Sequence, residues 1–515
     1  MKRKRIELSG FQTLNTGFPT EIPENHFSDT MNMVRRSDGL WENRKGIAQF
    51  GDDVGSNLPV HSIRFWKTSA GNRYLTVGSD DDVYSYAEGS AYNNGSYTSR
   101  QDIGGNSPWD SIVYRDILVI GNGVDNLRSS TDNSTFTDRS GANIIKAKYL
   151  EVGNDFVCFA GIPTENDRVL LSGGAPTSPW EYDPNNDANI DIGNADSITG
   201  VKSLGDILLV TKKRQAYSVA LSDFSRSTLD WGGGCESNRA ILRTQINSLF
   251  IAGRQGIYDI SKTQIGNNQL FGSPESEQIE TLYDLITDFS DINGIFTFDH
   301  NFAIWNAPTE LGRLTFVRQL DYSETVWTYF SGINAKDWTI YEDSEGNYHY
   351  LYSDASTDKV WEIFKGRNDN GAPILSRLST KRTDLGIPGV KKRINYVDVA
   401  GYITKNAEWK LKIYKDDELE PTIIETITQT NLTSTESLGG LGVESLGTRP
   451  LGGLVPNVDD LEVFPFFVRR PIEADYEKIQ IILENNQADC RVVLRKIVLA
   501  IEEQPESYLP NNLYL

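Results

Sequence analysis

Seven stretches of the chain repeat one crude pattern: an alternating strand, a short polar turn, a second strand running into Gly or Asn, and often a closing aromatic strand. The clearest copies are SIRFWKTSAGNRYLTVGSDDDVYSY from Ser62, SIVYRDILVIGNGVDNLRS from Ser111 and AKYLEVGNDFVCFAGIPTENDRVLLSG from Ala147. The others start at Ile198, Ala240, Ile292 and Asp337. A period of about 40 to 50 residues made of three or four short strands is the sequence sign of propeller blades. Period-2 alternation gives a strand with one buried face, and a small sheet cannot bury that face alone, so such sheets pack radially. The pattern predicts an all-β chain with a β-propeller of about seven blades. Six or eight blades, or a β-sandwich or β-helix array with the same turn spacing, remain alternatives. The WD and kelch signatures are absent.

Three regions follow. Residues 1–60 read as an extended N-terminal leader rich in turn residues, and 61–375 as the propeller. Residues 376–515 read as a β-sandwich or jelly-roll-like domain, because alternating runs such as KRINYVDVAGYI and AEWKLKIYKDD are longer and denser there. Inside that last region lies SLGGLGVESLGTRPLGGLVP, residues 437–456, where Leu-Gly recurs at Leu438, Leu441, Leu446 and Leu451. Leu anchors on a flexible Gly backbone suit an element that orders against a neighbouring subunit; a plain flexible insertion is the alternative. One helix is predicted, Ser273–Phe289, with Ile279, Leu282, Leu285 and Ile286 on one face and Ser276 as its cap.

Charge and cysteine usage narrow the class. The formal net charge is −21, which argues against a nucleic-acid binder, since phosphate contacts need clustered Lys and Arg. It does not argue against a protein that DNA passes, because a carboxylate-lined wall repels phosphate. The basic MKRKR start reads as a solvated terminus. Cys158, Cys235 and Cys490 lie far apart with no CxxC spacing, and Cys158, within DFVCFAG, reads as a buried thiol. No apolar run reaches the length of a membrane span, and no secretory h-region follows the first residues, so the chain is expected to be soluble and made in a reducing cytoplasm.

Motifs for catalysis are missing. His26, His61, His300 and His349 have no HExxH, HxH or triad-like neighbourhood, and GxSxG, P-loop and GxGxxG patterns are absent. SDDD, Ser79–Asp82, fits a hairpin turn. The loop holding Asp183, Asp187, Asp191 and Asp196 offers oxygen ligands without EF-hand spacing and reads as a solvated loop. No catalytic, cofactor-binding or metal residue is nominated.

Two stretches resemble a known group. GFPTEIPENHFSDTMNMVRRSDGLWENRKGIAQFG is similar to the start of phage virion proteins of the tail nozzle and tail tubular type, the matching residues being Pro23, Asn32, Met33, Leu40, Arg44, Lys45 and Gly46. TKRTDLGIPGVKKRINYVDVAGY, Thr380–Tyr402, resembles the junction where the propeller of those proteins meets a β-sandwich; packaged-DNA stabilisation proteins share the plan. The resemblance implies a structural, non-enzymatic virion subunit made in the bacterial cytoplasm, with no cofactor. Six copies would form a ring that retains and conducts double-stranded DNA, beside portal-side adaptors and tail fibre or needle proteins. Lys391, Lys392 and Arg393 would then meet acidic patches of the next subunit; the plainer reading makes them a solvated strand edge guarded against pairing. Gly46, Gly386, Gly389 and Pro388 equally suit turns and a strand stop. The competing function is a carbohydrate-binding or glycoside-hydrolysing propeller, or a host-facing adhesin, with Trp66, Trp109, Trp305 and Trp361 as stacking platforms.

Overall fold

The computed structural model describes residues 3–8, 12–17, 22–23, 25–102, 107–141, 144–172, 176–182, 188–193, 196–229, 233–244, 248–262, 270–320, 325–385, 391–405, 407–428 and 463–503. The chain is all-β, 58% strand and 3% helix, in many small antiparallel sheets. Each of the first six repeats becomes one four-stranded sheet with its strands in sequence order, and the seventh supplies three strands of another four-stranded sheet. The first is Val60–Lys67, Arg73–Ser79, Asp82–Ala91 and Asn94–Asp102. The first strands of the second to sixth are Asp110–Tyr114, Tyr149–Gly153, Ile198–Leu204, Ile241–Arg243 and Asn293–Thr297. The seventh has Ala335–Glu342, Tyr348–Asp354 and Val360–Ile363, and its fourth strand, Ile47–Gln49, comes from ahead of the first repeat.

The polar turns seen in the sequence are tight hairpins. Arg115 and Asp116 have φ of 47° and 65°, and Asn154 and Asp155 repeat those values. Two successive positive φ angles make the primed turn whose twist matches the flanking strands. This fixes register, for example Ile112 opposite Val119 and Leu150 opposite Phe159.

By its contacts the chain divides into two compact units, one of residues 48–320 and 331–363, the other of residues 1–47, 321–330 and 364–515. The first is built on small cores, each shared by two sheets. Cys158, Val169, Val201, Leu208 and Val219 form one, and the Cys158 thiol is fully buried, as the sequence predicts. Phe50, Val77, Tyr86, Tyr341 and Val360 form another.

The second unit holds two larger antiparallel sheets. In one, the central strand Lys392–Thr404 lies between Val463–Tyr476 and Val492–Glu503; the other runs Phe27–Asp29, Ser376–Thr380, Ile479–Asn485, Glu408–Lys415, Ile423–Thr428. Trp41, Val397, Trp409, Leu411, Ile481 and Leu499 belong to one continuous apolar core that both sheets supply. The N-terminal residues are strands of this unit rather than a separate leader. Arg3–Leu8 pairs with Val492–Glu503, Phe27–Asp29 pairs with Ser376–Thr380, and Met33–Arg35 and Trp41–Asn43 join the first sheet. Their apolar residues Leu8, Phe27, Met33 and Trp41 are buried there, which the scattered turn residues between them concealed.

The predicted helix is only a turn of 3-10 helix, Glu277–Ile279, and four α-helical residues, Glu280–Tyr283. Ile279 and Ile286 are buried, but Leu285 is exposed while Tyr283 and Phe289 point inward. Ser276 does not cap it; its hydroxyl accepts from Ile257 N at 2.9 Å. Too few residues share one apolar stripe to outcompete burial of the aromatics.

Candidate functional site

A polar cluster of the first unit gathers near the starts of the sheets' first strands. Asp110 opens the second sheet; its Oδ1 accepts from Ser111 N (2.8 Å) and its Oδ2 from Leu150 N of the third (3.0 Å). Asp337 does the same in the seventh, accepting from Trp338 N (2.9 Å) and from Ile63 N of the first (3.0 Å). Asn238 donates to Asp110 Oδ2 at 2.9 Å and accepts from Val201 N at 3.0 Å. Each carboxylate or amide thus satisfies an N–H that the sheets' own ladders leave over.

Arg239 joins these groups. It lies in the 3-10 turn Asn238–Ala240 just before the fifth sheet. One guanidinium nitrogen donates to His61 O (2.8 Å) and Lys336 O (3.2 Å), the other to Ser62 Oγ (2.9 Å) and Trp109 O (3.0 Å). It also stands 3.4 Å from Asp337 Oδ2. A planar fork of donors can hold four acceptors at once, which an ammonium could not do in one plane. Burial pushes the Asp337 carboxyl up, against the pull of Arg239. Burial likewise pushes the His61 imidazole down to about 4, so it is neutral at pH 7. Its ring nitrogens lie 3.1 Å from Ser62 Oγ and 3.1 Å from Asp80 O. The side chains named here bond backbone groups or one another, and the arrangement is suited to holding strands together.

The second unit has its own buried ionic cluster, built from the N-terminal residues that carry the resemblance. Arg44, 2% exposed, grips Asp369 with both terminal nitrogens (2.9 and 2.6 Å), and its Nε donates to Asn32 Oδ1 (2.9 Å). Asn32 has φ of 55° and donates from Nδ2 to Leu375 O at 2.7 Å. A Cβ at Gly46 would lie 1.9 Å from Asn368 O, so only glycine lets these backbones pass. Met33 is buried, Leu40 half-buried and Pro23 exposed; Lys45 gives its carbonyl to Arg44 and Pro23 gives its own to His26 N. Nearby, Glu42 takes Arg367 (2.9 Å), Arg491 (2.8 Å) and Arg36 (3.4 Å). Burial opposes its charge, but Arg491 and Arg367 outweigh that and hold its carboxyl below the usual range.

The residues nominated as subunit contacts are only partly in view. Leu438, Leu441, Leu446 and Leu451 lie outside the described residues, as do Gly386, Pro388 and Gly389. Lys391 and Arg393 are exposed, but Lys392 is buried and its Nζ lies 3.4 Å from Glu477 O. The strand that begins at Lys392 is paired on both sides, so the reading of these cations as guards of a free sheet edge is corrected: the strand is central, and alternation turns Lys392 inward and Arg393 outward. SDDD is the expected hairpin turn, with Asp80 at φ 55°. In the Asp-rich loop, Asp183 and Asp187 lie outside the described residues; Asp191 accepts from Gly193 N at 2.6 Å. Among the described residues no group of three or more His, Cys, Asp or Glu is placed to hold a metal ion, and no helix is long and apolar enough to cross a membrane. Trp66, Trp109 and Trp305 are 2%, 3% and 0% exposed, which removes them as sugar platforms; Trp361 is half-buried and donates to Asp354 at 2.8 Å.

Sequence reasoning missed Arg239, Asp110 and Asp337. A signal existed: an Asp or Asn stands directly before the alternating run at Asp110, Asn293 and Asp337. No protein-family model matches the chain, and no curated protein is significantly similar to it.

Proposed function

We propose that the seven sheets close into a seven-bladed β-propeller, that the second unit is a β-sandwich, and that the chain is a structural subunit of a phage tail nozzle or tail-tube ring. The observation that carries the fold is the seventh sheet. Its last strand is supplied by Ile47–Gln49, ahead of the first repeat, which is how the two ends of a circular array of blades are locked together. Arg239 supports closure, because a side chain at the fifth sheet that also reaches the first, second and seventh needs those strand starts around one axis. The function rests on this plan together with the resemblance of the N-terminal segment, whose Asn32, Arg44 and Gly46 form a locked structural cluster.

In this reading the chain is not an enzyme and uses no cofactor. Copies associate head to tail into a closed ring, six by resemblance, with portal-side adaptors above and fibre or needle proteins below. The propeller axis is bolted by Arg239, so the genome runs between subunits, along a wall where an overall charge of −21 favours sliding over sticking. Lys391, Arg393 and the Leu-Gly segment of residues 437–456 are the contact candidates. The protein belongs in the virion tail. The carbohydrate-active or adhesin alternative loses its first support with the burial of Trp66, Trp109 and Trp305.

The test is deletion of residues 437–456 followed by addition to purified portal complexes. The expected outcome is a folded protein with normal far-UV circular dichroism that no longer caps the portal, while wild type does. Undiminished capping by the deleted form removes the segment's role, and no capping by wild type removes the nozzle reading.

A further inference from the structure

The fold buries or half-buries nearly all of the aromatic side chains described. Among the Phe, Tyr and Trp side chains that are described, Phe298, at 38%, and Tyr348, at 44%, are the exposed ones, and they touch each other. Their ring centroids lie 6.2 Å apart with planes inclined at 59°. They come from different sheets of the same unit: Phe298 follows the first strand of the sixth, and Tyr348 opens the second strand of the seventh.

The pair is held in place from beneath. Phe296, 5% exposed, meets Phe298 edge-on at 5.6 Å. The turn that carries Phe298 is tied down where Asp299 N donates to Tyr350 Oη at 3.0 Å, and Asn301 takes φ of 56° to close it. Tyr348 sits in register with Glu342 on the neighbouring strand, and Glu342 is fixed by Lys67 at 2.7 Å. Two large apolar rings kept in contact at the surface, where the other aromatic side chains described are buried or half-buried, mark a binding surface rather than leftover core.

We propose that Phe298 and Tyr348 form a platform for a neutral saccharide. The apolar face of a pyranose presents C–H groups, and these pack on the electron-rich face of an aromatic ring. Two inclined rings offer faces to successive sugars of a chain, or to two sides of one. Next to the rings in sequence, the exposed Asp299 carboxylate and the Asn347 amide oxygen can accept from sugar hydroxyls, while Asn347 Nδ2 is held by Asp343 Oδ2 at 2.9 Å. Other chemistries fit less well. A polyanion would meet Asp299 and Glu345 on a chain of net charge −21. A protein partner needs a wider apolar centre than two rings inside a polar rim. The inference does not depend on the assembly reading, and a virion subunit or a free protein could equally carry such a platform.

The experiment uses the full-length protein and four probes: tetrasaccharides of glucose, mannose, galactose and N-acetylglucosamine, titrated by calorimetry and by saturation-transfer NMR. At least one should bind, with transfer strongest to its C–H protons. Phe298→Ala and Tyr348→Ala should each weaken binding by about tenfold, and the double variant should abolish it. Tyr348→Trp should retain it, and far-UV circular dichroism of every variant should match wild type. The proposal is overturned if none of the four binds saturably. Equal binding by the double variant overturns it too. So does a double variant that changes the oligomeric state instead, which would make the patch a contact between copies, or binding confined to heparin.

Discussion

The two units solve the same problem, burying strands, in opposite ways. Residues 48–320 and 331–363 divide the work among short sheets with small cores, and then tie the sheets with polar side chains: Asp110, Asp337, Asn238 and above all Arg239. The second unit instead runs strands of 12 to 14 residues through one continuous core. It draws them from both ends of the chain, as Arg3–Leu8 against Val492–Glu503 illustrates. Small repeated sheets leave backbone groups at every seam, so directional side-chain bonds matter there. A single large core has few seams, and apolar volume dominates.

This difference can be broken by mutation. Trp41→Ala removes a side chain that is 1% exposed in the large core, and should cost about 3–5 kcal/mol. Hydrogen exchange should then show lost protection in Lys392–Thr404 and Val492–Glu503, with the first strands of the seven sheets keeping theirs. Equal loss in both units would mean that the chain is one cooperative body, and the contrast would fall.

Arg239→Met tests the other half. It keeps an apolar stem but strips the partners of Ser62, Trp109 O and Lys336 O, and leaves Asp337 buried beside no cation. A cost of about 3 kcal/mol is expected, the lower end for a broken buried pair because Arg239 is partly exposed. The pH profile distinguishes a bolt from a filler. Asp337 already binds its proton more tightly folded than unfolded, so its contribution to stability falls as pH rises above the ordinary carboxylate range. Loss of Arg239 pushes that carboxyl further up, and the deficit in thermal unfolding should widen with pH from about 4 to 7. A deficit independent of pH would reduce Arg239 to packing.

His61 gives a smaller and opposite signature. Its folded value near 4 lies below the ordinary 6.5, so the unfolded chain binds the proton more readily between them. Stability should fall as pH drops from about 6.5 to about 4, by roughly 2–3 kcal/mol. His61→Gln should flatten that part of the profile in denaturant titrations; an unchanged slope would place the acid sensitivity elsewhere.

The same contrast explains what was legible in the sequence. Period-2 alternation and two-residue turns such as Arg115–Asp116 are local, so the first six sheets and three strands of the seventh could be read one repeat at a time. Pairings such as Phe27 with Thr380 join residues more than three hundred positions apart, and nothing local announces them. The N-terminal strands therefore read as a leader, and Lys391 to Arg393 as an edge. The polar hub was half-visible. Asp110 and Asp337 lie at or near the starts of their strands, but Arg239 looks like any surface arginine until the strand starts converge on it. The Trp platforms failed for a physical reason: an indole in a short sheet is the largest available filler, and Trp305 is fully buried with its N–H donating to Ala240 O at 3.1 Å. The exposed pair Phe298 and Tyr348 carried no sequence signal that set it apart from the other aromatics.

The central claim, a propeller-based ring subunit of a phage tail, meets its most direct test in native mass spectrometry of the purified chain, alone and with a portal complex. The account predicts a closed oligomer of one defined copy number, six by resemblance, that persists on the portal as a single added ring. A chain that stays at the mass of one copy at every concentration, and adds nothing to the portal, would contradict it.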